Sequence, residues 1–283
     1  MTLAEPGIDP RYVAARRVLI DALVALAPQG QAVIVVGAQA VYLRAGDADL
    51  TVAPYTTDGD LAIDPSRLEE IPQLAEAMGE AGFVRSLEPG IWLASVTVAG
   101  EEVGIPVDLI VPEDAAPPGG RRGARLGVHG NRAARRARGL EAALVDHGPL
   151  TIAALDPADP RRVEVQVAGE AALLVAKAHK IHERVRGARQ DRITDKDAAD
   201  VVRLMRVTAP VSVAETFGRL TADRVAGSVS REAIGLLDQL FGRAGRPGVE
   251  MAKRALQLAL SAQEVEALCA AYTQALMRAL RTV

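Results

Sequence analysis

The chain has 283 residues, of which 49% are hydrophobic and 24% charged, and its formal net charge is −3. These values predict a globular protein long enough for two domains, and they exclude a globally basic nucleic-acid binder. Its apolar runs are shorter than the roughly 20 residues of a membrane span, and no secretory signal is visible. Because the single cysteine, Cys269, cannot form an internal disulfide, a cytoplasmic location is expected.

Hydrophobic periodicity in the first half predicts alternating helices and strands. Residues 12–28 have the spacing of an amphipathic helix, and residues 32–36 form an apolar strand that breaks at Gly37 into an alanine-rich helix. The further predicted elements of this half are a helix at 66–80, strands at 83–86, 91–98 and 104–111, and edge strands within 139–155 and 161–167.

From Gly169 onward the strand patterns stop and helical periodicity takes over. The sequence therefore predicts an α/β (α+β) fold: an N-terminal domain, residues 1–168, with a mixed sheet and flanking helices, and a C-terminal helical bundle, residues 169–283. The predicted helices of the second half span 169–187, 195–206, 211–221, 229–243, 248–258 and 261–281.

Three aspartates lie in or beside the predicted apolar strands. Asp58 and Asp60 are separated by one residue, so both side chains point to the same face of a strand. Asp108 interrupts the second apolar strand, where an isolated carboxylate is costly unless it meets a metal or a partner. Asp58, Asp60 and Asp108 are therefore the candidate metal ligands.

The lysines of the chain are concentrated in one short segment. Only four occur, against 29 arginines, and Lys177, Lys180 and Lys196 fall within 20 residues. Lysine carries a compact ammonium on a flexible stem, which suits contact with a phosphate. Lys177 and Lys180 share one face of the predicted helix, although a solvated helix face would have the same spacing. Asp197, next to Lys196, is also placed to favour the start of the following helix.

A basic block follows a loop rich in proline and glycine. Residues 121–138 contain seven arginines and no acidic residue. Such a block can bind RNA phosphates or the triphosphate of a nucleotide, and it can equally be a solvated loop. The candidate RNA-binding residues are Arg121, Arg122, Arg125, Arg132, Arg135, Arg136 and Arg138.

Taken in order, these motifs resemble those of the nucleotidyltransferase superfamily, and more narrowly its AbiEii branch, which includes the MenT-type toxins. The glycine-opened helix, the Asp-x-Asp pair, the third acid and the later K-D-x-x-D segment all have counterparts there. The matching residues are Gly37, Ala38, Ala40, Val41, Thr56, Asp58, Asp60, Asp108, Lys177, Arg184, Lys196, Asp197 and Asp200. Gly59 departs from the aliphatic residue usual in that family, and Pro54 stands where an arginine often precedes the threonine.

The resemblance implies a nucleotidyltransferase-type fold and a reaction. That reaction moves a nucleoside monophosphate from an NTP to an acceptor hydroxyl and releases pyrophosphate, with two Mg²⁺ ions. The catalytic residues that it implies are Asp58, Asp60, Asp108, Lys177 and Asp197. The nucleotide-binding residues that we expect are Gly37, Ala38, Thr56, Thr57, Lys177 and Lys180.

The resemblance also implies an acceptor and partners. The expected acceptor is the 3′ end of tRNA, with the protein acting as the toxin of a toxin–antitoxin pair and a cognate antitoxin protein as its partner. No DNA or membrane partner is expected. Three alternatives stay open: modification of a small molecule such as an antibiotic, nucleotide transfer to a protein, and a non-catalytic nucleotide- or RNA-binding relative.

Overall fold

A computed structural model describes residues 8–46, 55–119, 122–187 and 195–282. In these residues eight strands form one mixed sheet, and α-helices precede, connect and follow them. The strands are β1 Val33–Val36, β2 Gly59–Ile63, β3 Val84–Arg85, β4 Ile91–Val98, β5 Glu101–Pro112, β6 Arg135–Ala137, β7 His147–Ala153 and β8 Arg162–Ala168. The α-helices are α1 Pro10–Ala25, α2 Gly37–Ala45, α3 Leu74–Glu80, α4 Glu170–Arg186, α5 Lys196–Val207, α6 Pro210–Ala222, α7 Gly227–Phe241, α8 Pro247–Leu256 and α9 Ala262–Ala279.

β1 is an interior strand of the sheet, whose strand order is β3-β4-β5-β2-β1-β8-β7. It runs antiparallel to β2 and parallel to β8, and all four of its residues are buried, as expected for a strand covered on both faces. β2 pairs in parallel with β5, and this register sets Asp60 opposite Asp108. The short β6 pairs with β5 beyond the residues that β4 covers.

Gly59 allows α1 to pack closely on the sheet. A Cβ at this position would lie 3.2 Å from Cδ1 of Leu19 in α1, a contact tighter than most real Cβ atoms make. α1 also contacts β4, β5 and β8, and Leu19 is fully buried. The glycine that departs from the resembling family therefore has a packing reason in this chain.

The helical half begins directly after the last strand, since β8 ends at Ala168 and α4 begins at Glu170. α4 and α5 both pack against α2, so this half borders the central strands. The predicted fold class, a mixed sheet with flanking helices followed by helices, is confirmed; the division into two domains at 168 stays a prediction. None of the described helices is both long and apolar enough to cross a bilayer.

Two local predictions are wrong. The helix predicted over 66–80 begins only at Leu74, because the buried amide of Gln29 binds the backbone of Glu69 and the carbonyl of Pro72 in a non-helical segment. The second error concerns the strands predicted at the edge. β7 lies at the end of the sheet, but β8 is an interior strand between β1 and β7, and residues Glu141–Leu144 form a 3-10 helix.

Candidate active site

Three aspartates meet where β1, β2 and β5 lie side by side. Asp60 of β2 is the register partner of Val36 in β1 and of Asp108 in β5. Asp58 immediately precedes β2 and, being two residues from Asp60, lies on the same side of the sheet. Burial and the neighbouring charge of Asp58 raise the pKa of Asp60 to about 7. In this acid cluster, made of Asp58, Asp60 and Asp108, burial first and then the charge of Asp58 oppose ionisation of Asp60.

Gly37 opens α2 in a position that requires glycine. Its φ is +71°, and a Cβ there would lie 1.9 Å from Oδ2 of Asp60. The carboxylate of Asp60 therefore occupies the space of a side chain at this position, directly beside the start of α2. Backbone N–H groups at a helix start favour negative charge, whether from a carboxylate or from a bound phosphate. The following residue, Ala38, is buried.

Thr56 links the first aspartate to the helical half. Its side chain is fully buried, and its hydroxyl donates to the carboxylate of Asp58. Lys196, the first residue of α5, donates to the same hydroxyl at 2.8 Å. Burial lowers the pKa of Lys196, against the pull of Asp58. A hydrogen-bond chain therefore joins an ammonium to the acid cluster, and the half-buried Thr57 lies between Thr56 and Asp58 in the chain.

Asp108 is paired with an arginine of the basic block. The Nε of Arg135 donates to Oδ1 and Oδ2 of Asp108 at 3.0 and 2.7 Å, and its Nη2 lies 2.6 Å from Oδ2. Strand β6 explains this pairing, because Arg135 is the register partner of Ile110, two residues beyond Asp108. Burial works against the charge of Arg135, but Asp108 outweighs burial and the pKa of the guanidinium is raised.

A second group of charges, here called the α4–α5 ion cluster, consists of residues that pair with one another: Lys177, Lys180, Arg184, Asp197 and Asp200. Nζ of Lys177 lies 2.7 Å from Oδ1 of Asp197 and 2.6 Å from Oδ2 of Asp200. Asp197 also contacts Lys180, at 3.2 Å, and Arg184. Burial disfavours these charges, but the pairing outweighs it: the pKa of Asp197 is lowered and the pKa of Lys177 is raised.

The two lysines of α4 have different surroundings. The side chain of Lys177 is only 4% exposed, whereas that of Lys180 is 45% exposed. The positive charge of Lys180 also opposes the rise in pKa of Asp60 and of Asp108. Lys180 is therefore the α4 lysine that combines solvent access with electrostatic contact to the acid cluster.

Two buried polar residues that sequence reasoning missed support Asp58. Gln39 of α2 donates from its amide to the backbone carbonyls of Asp58, at 3.0 Å, and Ala15, at 3.3 Å. The amide oxygen of Gln39 accepts from Nε of Arg16 at 2.7 Å. Gln39 is 1% exposed and Arg16 is 5% exposed. The available signal was a glutamine at a core-facing position of the alanine-rich helix, where a polar side chain needs partners.

The basic block mostly contacts the protein itself. Four of its members besides Arg135 have side-chain partners: Arg122 the carboxylate of Glu88, Arg132 the carbonyl of Leu87, Arg136 the carbonyl of Glu113, and Arg138 the carboxylate of Glu232. Arg125 is exposed, and Arg121 lies outside the described residues. An RNA-binding role for the block stays a prediction, and five of its arginines, Arg135 included, already have partners within the chain.

Comparison with known proteins adds little. No protein-family model and no curated protein matches the chain. Among solved structures, the crystal structure of an antigenic nucleotidyltransferase-like protein from Paracoccidioides brasiliensis is similar, with 16% sequence identity, 93% of this chain and 99% of that chain covered, and a TM-score of 0.36. At that TM-score the similarity carries no argument about this chain. Membership of the nucleotidyltransferase superfamily and of its AbiEii branch therefore stays a prediction from the motifs.

Proposed function

We propose that the protein is a nucleotidyltransferase, which transfers a nucleoside monophosphate from an NTP to an acceptor hydroxyl. The observation that carries this proposal is the meeting of Asp58, Asp60 and Asp108 beside the glycine-opened start of α2. Surplus carboxylate charge suits a divalent cation, and a helix start suits a phosphate. A metal-bound nucleoside triphosphate carries both a divalent cation and phosphates, so one ligand would match both features.

The acid cluster fits a Mg²⁺ ion at Asp58 and Asp60. Carboxylate oxygens are ligands that Mg²⁺ prefers, and a cation would offset both the burial and the neighbouring charge of Asp58 that raise the pKa of Asp60. Asp108 fits less well, because both of its oxygens accept from Arg135. The part of the chain that the structure describes holds no ready-made cluster of three metal ligands. When bound, Mg²⁺ would neutralise triphosphate charge and activate the attacking hydroxyl.

Two lysines beside the acid cluster would act on the phosphates. Lys196 reaches Asp58 through the hydroxyl of Thr56, and Lys180 is the exposed lysine of α4. As the acceptor oxygen bonds to the α-phosphorus, the bond from that phosphorus to the pyrophosphate oxygen breaks, and these ammonium groups stabilise the leaving charge. The proton of the hydroxyl passes to a carboxylate, for which Asp108 is the candidate.

Lys177 has a different role in this account from the one implied by the resemblance. Its ammonium is occupied by Asp197 and Asp200, so it fixes α5 against α4 rather than contacting the nucleotide. Because Lys196 is the first residue of α5, this packing sets where the second ammonium lies. Lys177 and Asp197 are therefore positioning residues in the proposed reaction.

The proposed acceptor is the 3′ end of tRNA, with the protein as the toxin of a toxin–antitoxin pair. This part of the proposal is supported by the motif resemblance and by the exposed Arg122 and Arg125 of the basic block. Transfer to a small molecule, transfer to a protein, and nucleotide or RNA binding without catalysis are the competing outcomes. A cognate antitoxin protein would be the partner, as the resemblance implies.

Incubation with each α-labelled NTP, Mg²⁺ and total tRNA tests the proposal. We expect label on RNA, with release of pyrophosphate, and no label with the Asp60→Asn variant. Label on the protein itself, or on an added aminoglycoside, would replace tRNA as the acceptor and keep the reaction class. Absence of transfer with all four nucleotides and all three acceptors would contradict the proposed function.

A further inference from the structure

The pairing of Asp108 with Arg135 bears on how many metal ions the site takes. An Asp-x-Asp pair and a third acid together suit two divalent ions, in which case the third carboxylate is a metal ligand. Here both oxygens of Asp108 accept hydrogen bonds from one guanidinium. The side chains of Arg135 and Asp108 are 24% and 16% exposed, so the pair is largely removed from water.

The backbone around Arg135 is held firmly in place. Strand β6 pairs in parallel with the last residues of β5. At the start of β6, Gly90, with φ of +81°, approaches so closely that a Cβ would lie 2.5 Å from the backbone nitrogen of Arg135. Leu109, next to Asp108, donates its N–H to the carbonyl of Gly90 at 2.8 Å. The backbone of Arg135 is thus held both by its pairing with β5 and by the close approach of Gly90.

A metal ion would have difficulty displacing this arginine. Guanidinium does not deprotonate in proteins, so Arg135 keeps its charge at any working pH. If an ion took both oxygens of Asp108, a largely buried positive charge would lose its partner, which is strongly unfavourable. Asp58 instead accepts from the hydroxyl of Thr56, and the carboxylate of Asp60 lies against Gly37 at the start of α2.

We propose that this site takes one divalent ion, held by Asp58 and Asp60, and that Arg135 supplies on Asp108 the positive charge that a second ion supplies in two-ion sites. The inference rests on the acid cluster of the proposed function but not on the identity of the acceptor. It changes the expectation of two Mg²⁺ ions to one. It also assigns one arginine of the basic block to the reaction centre rather than to an RNA surface.

Titration of the metal-free full-length protein with MnCl₂, without nucleotide or acceptor, tests this inference. Bound Mn²⁺ is counted by electron paramagnetic resonance of the free ion. We expect one ion per chain for the wild type and two for Arg135→Met, in which Asp108 becomes free. Arg138→Met is the matched control. Arg138 belongs to the same basic block but pairs with Glu232, at 2.7 Å, so its replacement should leave the count at one ion.

Two further variants keep the test decisive if Arg135→Met does not fold. Asp108→Asn should leave one ion bound, because Asp108 is not a ligand, whereas Asp60→Asn should abolish binding. Two ions in the wild type, loss of the ion in Asp108→Asn, or a folded Arg135→Met that still binds one ion would each overturn the inference. Nucleotide transfer with two bound ions would contradict this inference and support the proposed function. One bound ion without any transfer would support this inference and contradict the proposed function.

Discussion

The acid cluster and the α4–α5 ion cluster both contain buried aspartates, but they differ in how far nearby cations neutralise the carboxylate charge. In both clusters burial disfavours the charged form of an aspartate. In the ion cluster Lys177 and Lys180 outweigh burial and lower the pKa of Asp197, whereas in the acid cluster Asp58 adds to burial and raises the pKa of Asp60 to about 7. Balanced charges stabilise a packed structure, and surplus charge of one sign favours a ligand of the other sign. We therefore assign the α4–α5 ion cluster to the fold and the acid cluster to chemistry.

The largest expected effect separates the clusters by activity. Asp58→Asn and Asp60→Asn each remove a ligand charge but keep the side-chain volume, so nucleotide transfer should fall by at least about 1000-fold, or about 4 kcal/mol. The control is Asp64→Asn, a buried aspartate just beyond the other end of β2 that accepts from the backbone and hydroxyl of Ser66. A variant at Asp58 or Asp60 with near wild-type kcat/KM at saturating Mg²⁺ would remove the acid cluster from the reaction.

The second prediction concerns stability. Lys177→Met leaves two buried carboxylates without their shared cation, and breaking such a pair costs about 3–5 kcal/mol. Lys180→Met, one helical turn away on the same helix, removes a half-exposed ion pair worth about 0–1 kcal/mol. Urea unfolding of both variants measures the difference. Equal losses would mean that the α4–α5 ion cluster does not hold the fold.

A third prediction compares two buried glutamines, because both bind the backbone of a neighbouring segment. Gln39→Leu and Gln29→Leu each leave backbone carbonyls without a donor, and each should cost about 1–3 kcal/mol of stability. Only Gln39 supports the acid cluster, so only Gln39→Leu should weaken Mn²⁺ binding measured on the folded protein. A similar loss of affinity in Gln29→Leu would show that general loosening, rather than the contact with Asp58, sets the affinity.

The fourth prediction follows from the raised pKa of Asp60. The folded protein holds this proton more tightly than the unfolded chain, so the charge of Asp60 costs stability as pH rises from about 4 to about 7. Asp60→Asn removes that cost. In metal-free buffer, the gain in melting temperature over wild type should be largest at pH 8 and should shrink toward pH 4. A gain that does not vary with pH would contradict the surplus charge.

The smallest effect tests the RNA part of the proposal. Arg125 is exposed, so Arg125→Ala should flatten the slope of log K against log salt for tRNA binding by roughly one unit if it contacts a phosphate. Arg243→Ala, an exposed arginine outside the basic block, is the control. An unchanged slope in Arg125→Ala would leave the motif resemblance as the main support for tRNA.

Patterns local to the sequence predicted much of this structure. The helices from α4 to α9 lie within a few residues of their predicted ranges, because each carries a full amphipathic repeat. The sequence pattern predicted that Asp60 and Asp108 lie in strands, and the structure shows that these strands, β2 and β5, are neighbours. The role of Gly37 was also accessible, since a glycine at a strand-to-helix turn indicates close approach of another group.

Contacts distant in sequence account for what was missed. The late start of α3 depends on Gln29, about 40 residues earlier, whose amide binds the non-helical backbone. The partner of Asp108 depends on β6, a three-residue strand that is too short to have a periodic signal. Helical spacing placed Lys177 and Lys180 on one face, but only the packing of α5 determines which of them is buried.

Thermal unfolding with and without Mg²⁺ tests most directly the claim that the acid cluster is built for a divalent cation. An ion that binds only the folded state raises the melting temperature in proportion to the logarithm of its concentration above Kd. We predict a rise for wild type and Lys180→Met, and no rise for Asp58→Asn or Asp60→Asn. No rise for wild type at millimolar Mg²⁺, or the same rise in Asp60→Asn, would contradict the claim.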